Sequence, residues 1–178
     1  MSIEKVYYEL SKGFDDEYYV ELASKNVMLV PVLIDFITSE HSFTQKSESL
    51  LEKISEKYPL VIYPYFNYIA DIIISNNDLS SFCAWKIIAN ILEVDSLNLW
   101  DNIKENYFTA LNSENITEFS ITCDRAPKII SAKPQNKEEI VKILADTQNR
   151  SFSAGGQVSE VCRKIAIEKA DSALQQVE

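Results

Sequence analysis

Apolar residues recur at three- and four-residue spacing along nearly the whole chain, while glycine occurs only at positions 13, 155 and 156. A sheet protein alternates apolar with polar residues and needs many more glycine-bearing turns. The pattern therefore predicts an all-α fold in which strands find almost no support. Helices are expected over 3–11, 17–24, 27–37, 45–57, 59–74, 80–93, 97–111, 116–132, 137–147 and 157–176. Local chemistry sets several ends. Gly13 can take the left-handed conformation beyond a helix, Asp15 or Asp16 can accept from the free amides of the next one, and Pro59 suits a first turn. Ser96, Ser113 and Asn136 are further cap candidates, and RSFSAGGQ, Arg150 to Gln157, reads as a loop.

The least polar stretch is YPLVIYPYFNYIADIII, Tyr58 to Ile74. Asn67 and Asp71 interrupt it and Lys57 and Asn76 bound it, so it falls short of the roughly 20 apolar residues that a membrane span needs. It is expected instead to form a core helix buried on both flanks and kinked at Pro64. Tyr63, Tyr65 and Tyr68 suit the margin of that core, where each hydroxyl reaches a partner or water. A length of 178 residues suits one domain, and 46% hydrophobic against 25% charged residues places the chain far from the disordered regime.

An approximate repeat organises these helices. Lys-Ile recurs as Lys53-Ile54, Lys86-Ile87, Lys128-Ile129 and Lys164-Ile165, at intervals of 33, 42 and 36 residues, the range of helical-hairpin arrays. Pro31 in MLVPVLIDFI answers Pro64 in VIYPYFNYIAD. LVPVLIDFI and IYPYFNYIAD resemble the first helix of HEAT repeats, L-x-P-x-L-x-x-L-x-D, and WKIIANIL, Trp85 to Leu92, is similar to their second helix. The Val-Arg that usually opens that second helix has no clear counterpart here, which widens the resemblance to the HEAT/armadillo-like class. The resemblance implies a right-handed α-α superhelix: one domain over 1–178, with a divergent helical pair at 1–25 and about four HEAT-like hairpins over 27–177.

Catalytic and cofactor chemistry finds little support. Gly155-Gly156 lacks the context of a phosphate loop, and His41, the only histidine, lies in SEHSF, a loop setting. Cys83, Cys123 and Cys162 form no metal-ligand spacing and read as buried small hydrophobes. Asp15-Asp16 and Glu138-Glu139 sit at helix starts, where the macrodipole favours them. No catalytic, cofactor or metal residue is therefore assigned. The start lacks a basic region followed by an apolar one, so a cytoplasmic location is expected.

A formal charge of −10 disfavours nucleic acid, and the charge is uneven. Residues 1–40 hold eight acids and three bases, whereas 124–169 hold nine bases and six acids. Stacked repeats would align Lys53, Lys86, Lys128 and Lys164 into a row facing an acidic or extended partner segment, against the plainer alternative that each lysine pairs with a neighbouring carboxylate. Asn90 joins the candidate partner-binding set, although Lys57, Ala132 and Glu168 stand where an asparagine ladder would continue. The expected function is a non-enzymatic scaffold or adaptor for a protein or peptide partner. A HEAT-like DNA glycosylase and a structural subunit of an oligomer are the alternatives.

Overall fold

The computed structural model describes residues 3–39, 42–75 and 78–177, and over these the chain is almost wholly helical. It divides into two compact units, Met1–Leu97 and Asn98–Glu178.

The first unit contains α1 (Ile3–Ser11), α2 (Asp16–Lys25), α3 (Leu29–Thr38), α4 (Thr44–Lys57), α5 (Pro59–Ile62), α6 (Phe66–Ile74) and α7 (Asp78–Ile91). Gly13, at φ +66°, ends α1, and the Asp15 side chain accepts from the Tyr18 amide to start α2. Pro31 falls in the first turn of α3, where an amide has no intrahelical acceptor to lose. α3 packs on α4 and α6 on α7. α4 also packs on α2 and α7, and α3 contacts α1, α2 and α6.

The expected continuous helix over 59–74 is broken. A 3-10 turn at Tyr63–Tyr65 separates α5 from α6, because Pro64 cannot donate the helical hydrogen bond. Nor is this segment buried on both flanks. Ile62, Phe66, Ile69, Ala70, Ile72 and Ile73 enter the core, but Leu60 (70%), Tyr68 (65%) and Ile74 (55%) are exposed.

Charge joins α2 to α4. The Asp16 carboxylate takes the ammonium groups of Lys46 and Lys53 and the Ser49 hydroxyl, while Lys57 bridges Glu17 and Glu21. Tyr58 donates to Glu21 at 2.8 Å. Hydrogen bonds from Lys46 and then Lys53 hold the Asp16 carboxyl down at about 2.

The second unit begins with a 3-10 turn at Leu99–Asn102, entered through Asn98 at φ 53°. It continues through α8 (Lys104–Leu111), α9 (Ile116–Ala132), α10 (Lys137–Ala145), β1 (Ser153–Ala154), β2 (Gln157–Val158) and α11 (Glu160–Gln175). α9 packs on α8, α10 and α11, and α10 packs on α11. Ser113 does not cap α9. Asn115 does, accepting from Thr117 and Glu118 at 2.9 and 3.4 Å. Asn136 makes no cap hydrogen bond, because its side-chain oxygen accepts from Trp100 Nε1 at 2.9 Å. RSFSAGGQ is more ordered than a loop. β1 and β2 pair antiparallel around Gly155-Gly156, whose φ of +56° and +79° suit a tight two-residue hairpin turn. β2 occupies the residues expected to open the last helix, which starts instead at Glu160, after the cap Ser159.

The second core gathers Trp100, Tyr107, Phe119 and Phe152, with the last two rings 4.8 Å apart. The Tyr107 hydroxyl, wholly buried, donates to the Thr122 carbonyl at 3.0 Å. Arg150 closes this core. Its guanidinium lies 4.9 Å from the Phe152 ring centre and 5.2 Å from that of Phe119. It donates to the carbonyls of Leu111 and Ser113 at 3.2 and 2.9 Å, satisfying acceptors that the end of α8 leaves open.

Two predictions follow from these contacts. Arg150→Met strands both carbonyls and removes the cation from the rings, so urea unfolding followed by circular dichroism registers a loss of about 2 kcal/mol, with Arg150→Lys intermediate. Asp16 has a depressed pKa, so its stabilisation is complete above the ordinary aspartate value of about 3.9 and disappears as pH falls through about 2. Asp16→Asn is expected to unfold earlier than the parent chain near neutral pH, with the gap closing between those two values.

Candidate functional site

The lysines of the repeat divide between the two units: Lys53 on α4 and Lys86 on α7 in the first, Lys128 on α9 and Lys164 on α11 in the second. α4 packs on α7 and α9 on α11, so each pair occupies neighbouring helices. Their surroundings differ. Lys53 is bound to Asp16, and Lys86 reaches Glu52 at 3.0 Å. Lys128 is half-buried and engaged by neighbouring groups, while Lys164 is exposed. Asn90 is buried and donates to the Ser55 hydroxyl at 2.8 Å and the Glu52 carbonyl at 3.3 Å, tying α7 to α4. The isoleucines after the lysines show where the repeat weakens. Ile54, Ile87 and Ile129 are in the core, but Ile165 is 40% exposed and Ala166 takes the inward position.

A groove of about 520 Å³ opens between α3 and α6, within the size range of ligand sites. Its α3 wall presents Pro31, Ile34, Asp35 and Thr38, the i, i+3, i+4, i+7 positions of one helix face. The α6 wall repeats that spacing with Tyr68, Asp71, Ile72 and Ser75, and Tyr65 extends it into the 3-10 turn. The hydroxyls of Thr38 and Ser75 turn back to their own helices, onto the Asp35 and Ile72 carbonyls at 3.1 and 3.0 Å. No described residue pairs with the Asp35 or Asp71 carboxylate, or hydrogen-bonds the Tyr65 or Tyr68 hydroxyl. Tyr63 differs from its neighbours. It donates to Asp95 at 2.7 Å and accepts from the Leu97 amide at 3.0 Å, fixing the turn that carries Tyr65.

The groove thus offers an aliphatic floor, two phenol rings and two carboxylates with no partner among the described residues. The sequence carries a trace of this. No Lys or Arg occurs between Lys25 and Lys46 or between Lys57 and Lys86, so neither wall contains a basic residue. The spacing of Asp35 and Asp71 along otherwise apolar helices was the available signal, and for Asp71 it was obscured by the expectation that its helix would be buried on both flanks.

Other chemistry is sparse among the described residues. No group of His, Cys, Asp and Glu there could hold a metal ion, and His41 lies outside them. All three cysteines are buried and free, and burial pushes the Cys83 and Cys123 thiols up to about 12, so neither supplies a thiolate near neutrality. More open clefts in the second unit, one bounded by Glu105, Phe108 and Glu118 and one by Glu139, Lys142 and Asp146, both include Asn112. No described helix is long and apolar enough to cross a membrane. No family model matches the sequence, and neither a curated protein nor a solved structure matches it.

The pairing of Lys86 with Glu52 predicts a measurable coupling. In a double-mutant cycle of Lys86→Met and Glu52→Gln, urea midpoints should give a coupling of about 0.2–1 kcal/mol that weakens as salt rises. Additive effects would show that Lys86 is available to a partner at no cost.

Proposed function

We propose that the chain is a scaffold or adaptor of HEAT-like helical hairpins, and that it binds a segment of a protein partner in the groove between α3 and α6. Two packed pairs support the hairpin reading in the first unit, α3 with α4 and α6 with α7, while α1 and α2 are joined by hydrogen bonds from Tyr18 and Tyr19 to Glu9. The first members contact in succession, α1 to α3 to α6, and so do the second members, α2 to α4 to α7. In the second unit α8 packs on α9 and α10 on α11, with α9 against α11. Consecutive pairs stacked in this sense are the building rule of a right-handed α-α superhelix.

The observation that carries the binding role is the groove together with the apolar flank beside it. Tyr68 and Ile74 lie exposed on α6, the helix that forms one wall, and exposed apolar surface next to a concave site marks an interaction face. Tyrosine suits such a face, since its rigid ring gives contact area and its hydroxyl remains compatible with water. A groove walled without Lys or Arg is unsuited to a polyanion, which weighs against a DNA-directed activity at this site.

Panning a random-peptide display library against the folded chain tests this. Thr38→Trp, at an exposed position on the wall, fills the groove, and Tyr68→Ala removes one ring. Enriched peptides are expected to bind the parent chain and to lose about tenfold in affinity on either variant, whose circular dichroism matches the parent. A library that yields no enriched peptide, or only peptides bound equally by Thr38→Trp, would remove the groove from the function.

A further inference from the structure

We infer that the segment occupying the α3–α6 groove carries a lysine or arginine flanked by apolar residues, with the cation between Asp35 and Asp71. This rests on the reading of the groove as a peptide site and adds the chemistry of its occupant.

The charge follows from the cost of covering the groove. An apolar segment laid on Pro31, Ile34 and Ile72 also takes Asp35 and Asp71 out of water. Removing a carboxylate from water without a partner is strongly unfavourable. No described residue supplies a cation to either group, and neither helical wall contains one in its sequence. A neutral or acidic occupant would leave both charges stranded, whereas a cation from the partner compensates them as contact forms.

The rings favour the same occupant. Tyr65 and Tyr68 line the same groove as the carboxylates, and a cation over an aromatic face gains further attraction, more for the planar guanidinium than for an ammonium. Polarity is thereby opposite to that of the lysine row. Lys53 and Lys86 on the α4 and α7 side already hold Asp16 and Glu52, so an acidic partner there must displace intramolecular carboxylates, while a basic one at the groove displaces only water.

The experiment uses the random-peptide library panned on the parent chain after depletion on Thr38→Trp, so that only groove-dependent binders remain. Those binders are expected to be enriched in Lys and Arg over Asp and Glu. Synthetic copies, followed by fluorescence anisotropy, should weaken about fivefold on Asp35→Asn/Asp71→Asn and weaken further as salt rises. Groove-dependent binders without cationic bias, bound equally by the Asn variant, would overturn the inference while leaving the peptide site standing. Failure to recover any groove-dependent binder would sink both. Light scattering that shows a dimer dispersed by Thr38→Trp would assign the groove to a second copy and also overturn it.

Discussion

None of these helices is long enough to stand alone. The longer ones, α4, α7, α9 and α11, span 14, 14, 17 and 16 residues, lengths at which an isolated helix is marginal in water. Their persistence depends on burying a face against a neighbour. Ile54 on α4, Ile87 and Ile88 on α7, Ile129 on α9, and Ala166 and Ala170 on α11 are all buried, and α4 packs on α7 and α9 on α11. Each isoleucine so buried contributes roughly 1.5–3 kcal/mol before entropy is charged against it. The α4–α7 contact is extensive, and the α3–α6 contact is lighter. The groove lies at the lighter one, where helices already held by their own partners need not close on each other.

The same division separates charges that stabilise from charges that remain available. Acids near the start of the chain are largely consumed in the α2–α4 contact, where Asp16, Glu17 and Glu21 face Lys46, Lys53 and Lys57. Individually such pairs contribute little, but one carboxylate held by two ammonium groups and a hydroxyl forms a small network whose members restrain one another. Asp35 and Asp71 are outside any such arrangement. They are acids on apolar helices with no Lys or Arg nearby in sequence, and no described residue pairs with either carboxylate.

Features governed by adjacent residues could be read in the sequence, and those governed by distant ones could not. Gly13, Asp15 and Pro59 mark helix ends because each acts through its own backbone or the next turn, and the helix over 116–132 was bounded correctly for the same reason. Asn136 seemed a cap by residue type, but Trp100, far back along the chain, claims its oxygen. The hairpin at Ser153–Val158 was hidden because two-residue strands have no periodicity, although its paired glycines fit a tight turn. Arg150 gave no sign of its part, since the carbonyls of Leu111 and Ser113 reach it only through the tertiary fold. The apolar run at Tyr58–Ile74 shows that hydrophobicity alone does not fix burial, since Leu60, Tyr68 and Ile74 stay exposed while Ile62, Phe66 and Ile69 enter the core.

Pro64 links that run to the groove. A continuous α-helix would set Tyr65 and Tyr68 about 60° apart around its axis, on adjoining but distinct lines. The 3-10 geometry is confined to Tyr63–Tyr65, and Tyr68 lies in the α-helix that follows, Phe66–Ile74. The turn at Tyr63–Tyr65 ends at the first of these tyrosines, and Tyr63 is fastened on its other side to Asp95 and the Leu97 amide. The turn and the helix after it place Tyr65 and Tyr68 in the lining of the groove, with Asp71 following on α6. The interruption fixes where that wall of the groove begins, since Tyr65 stands at the join between the turn and α6.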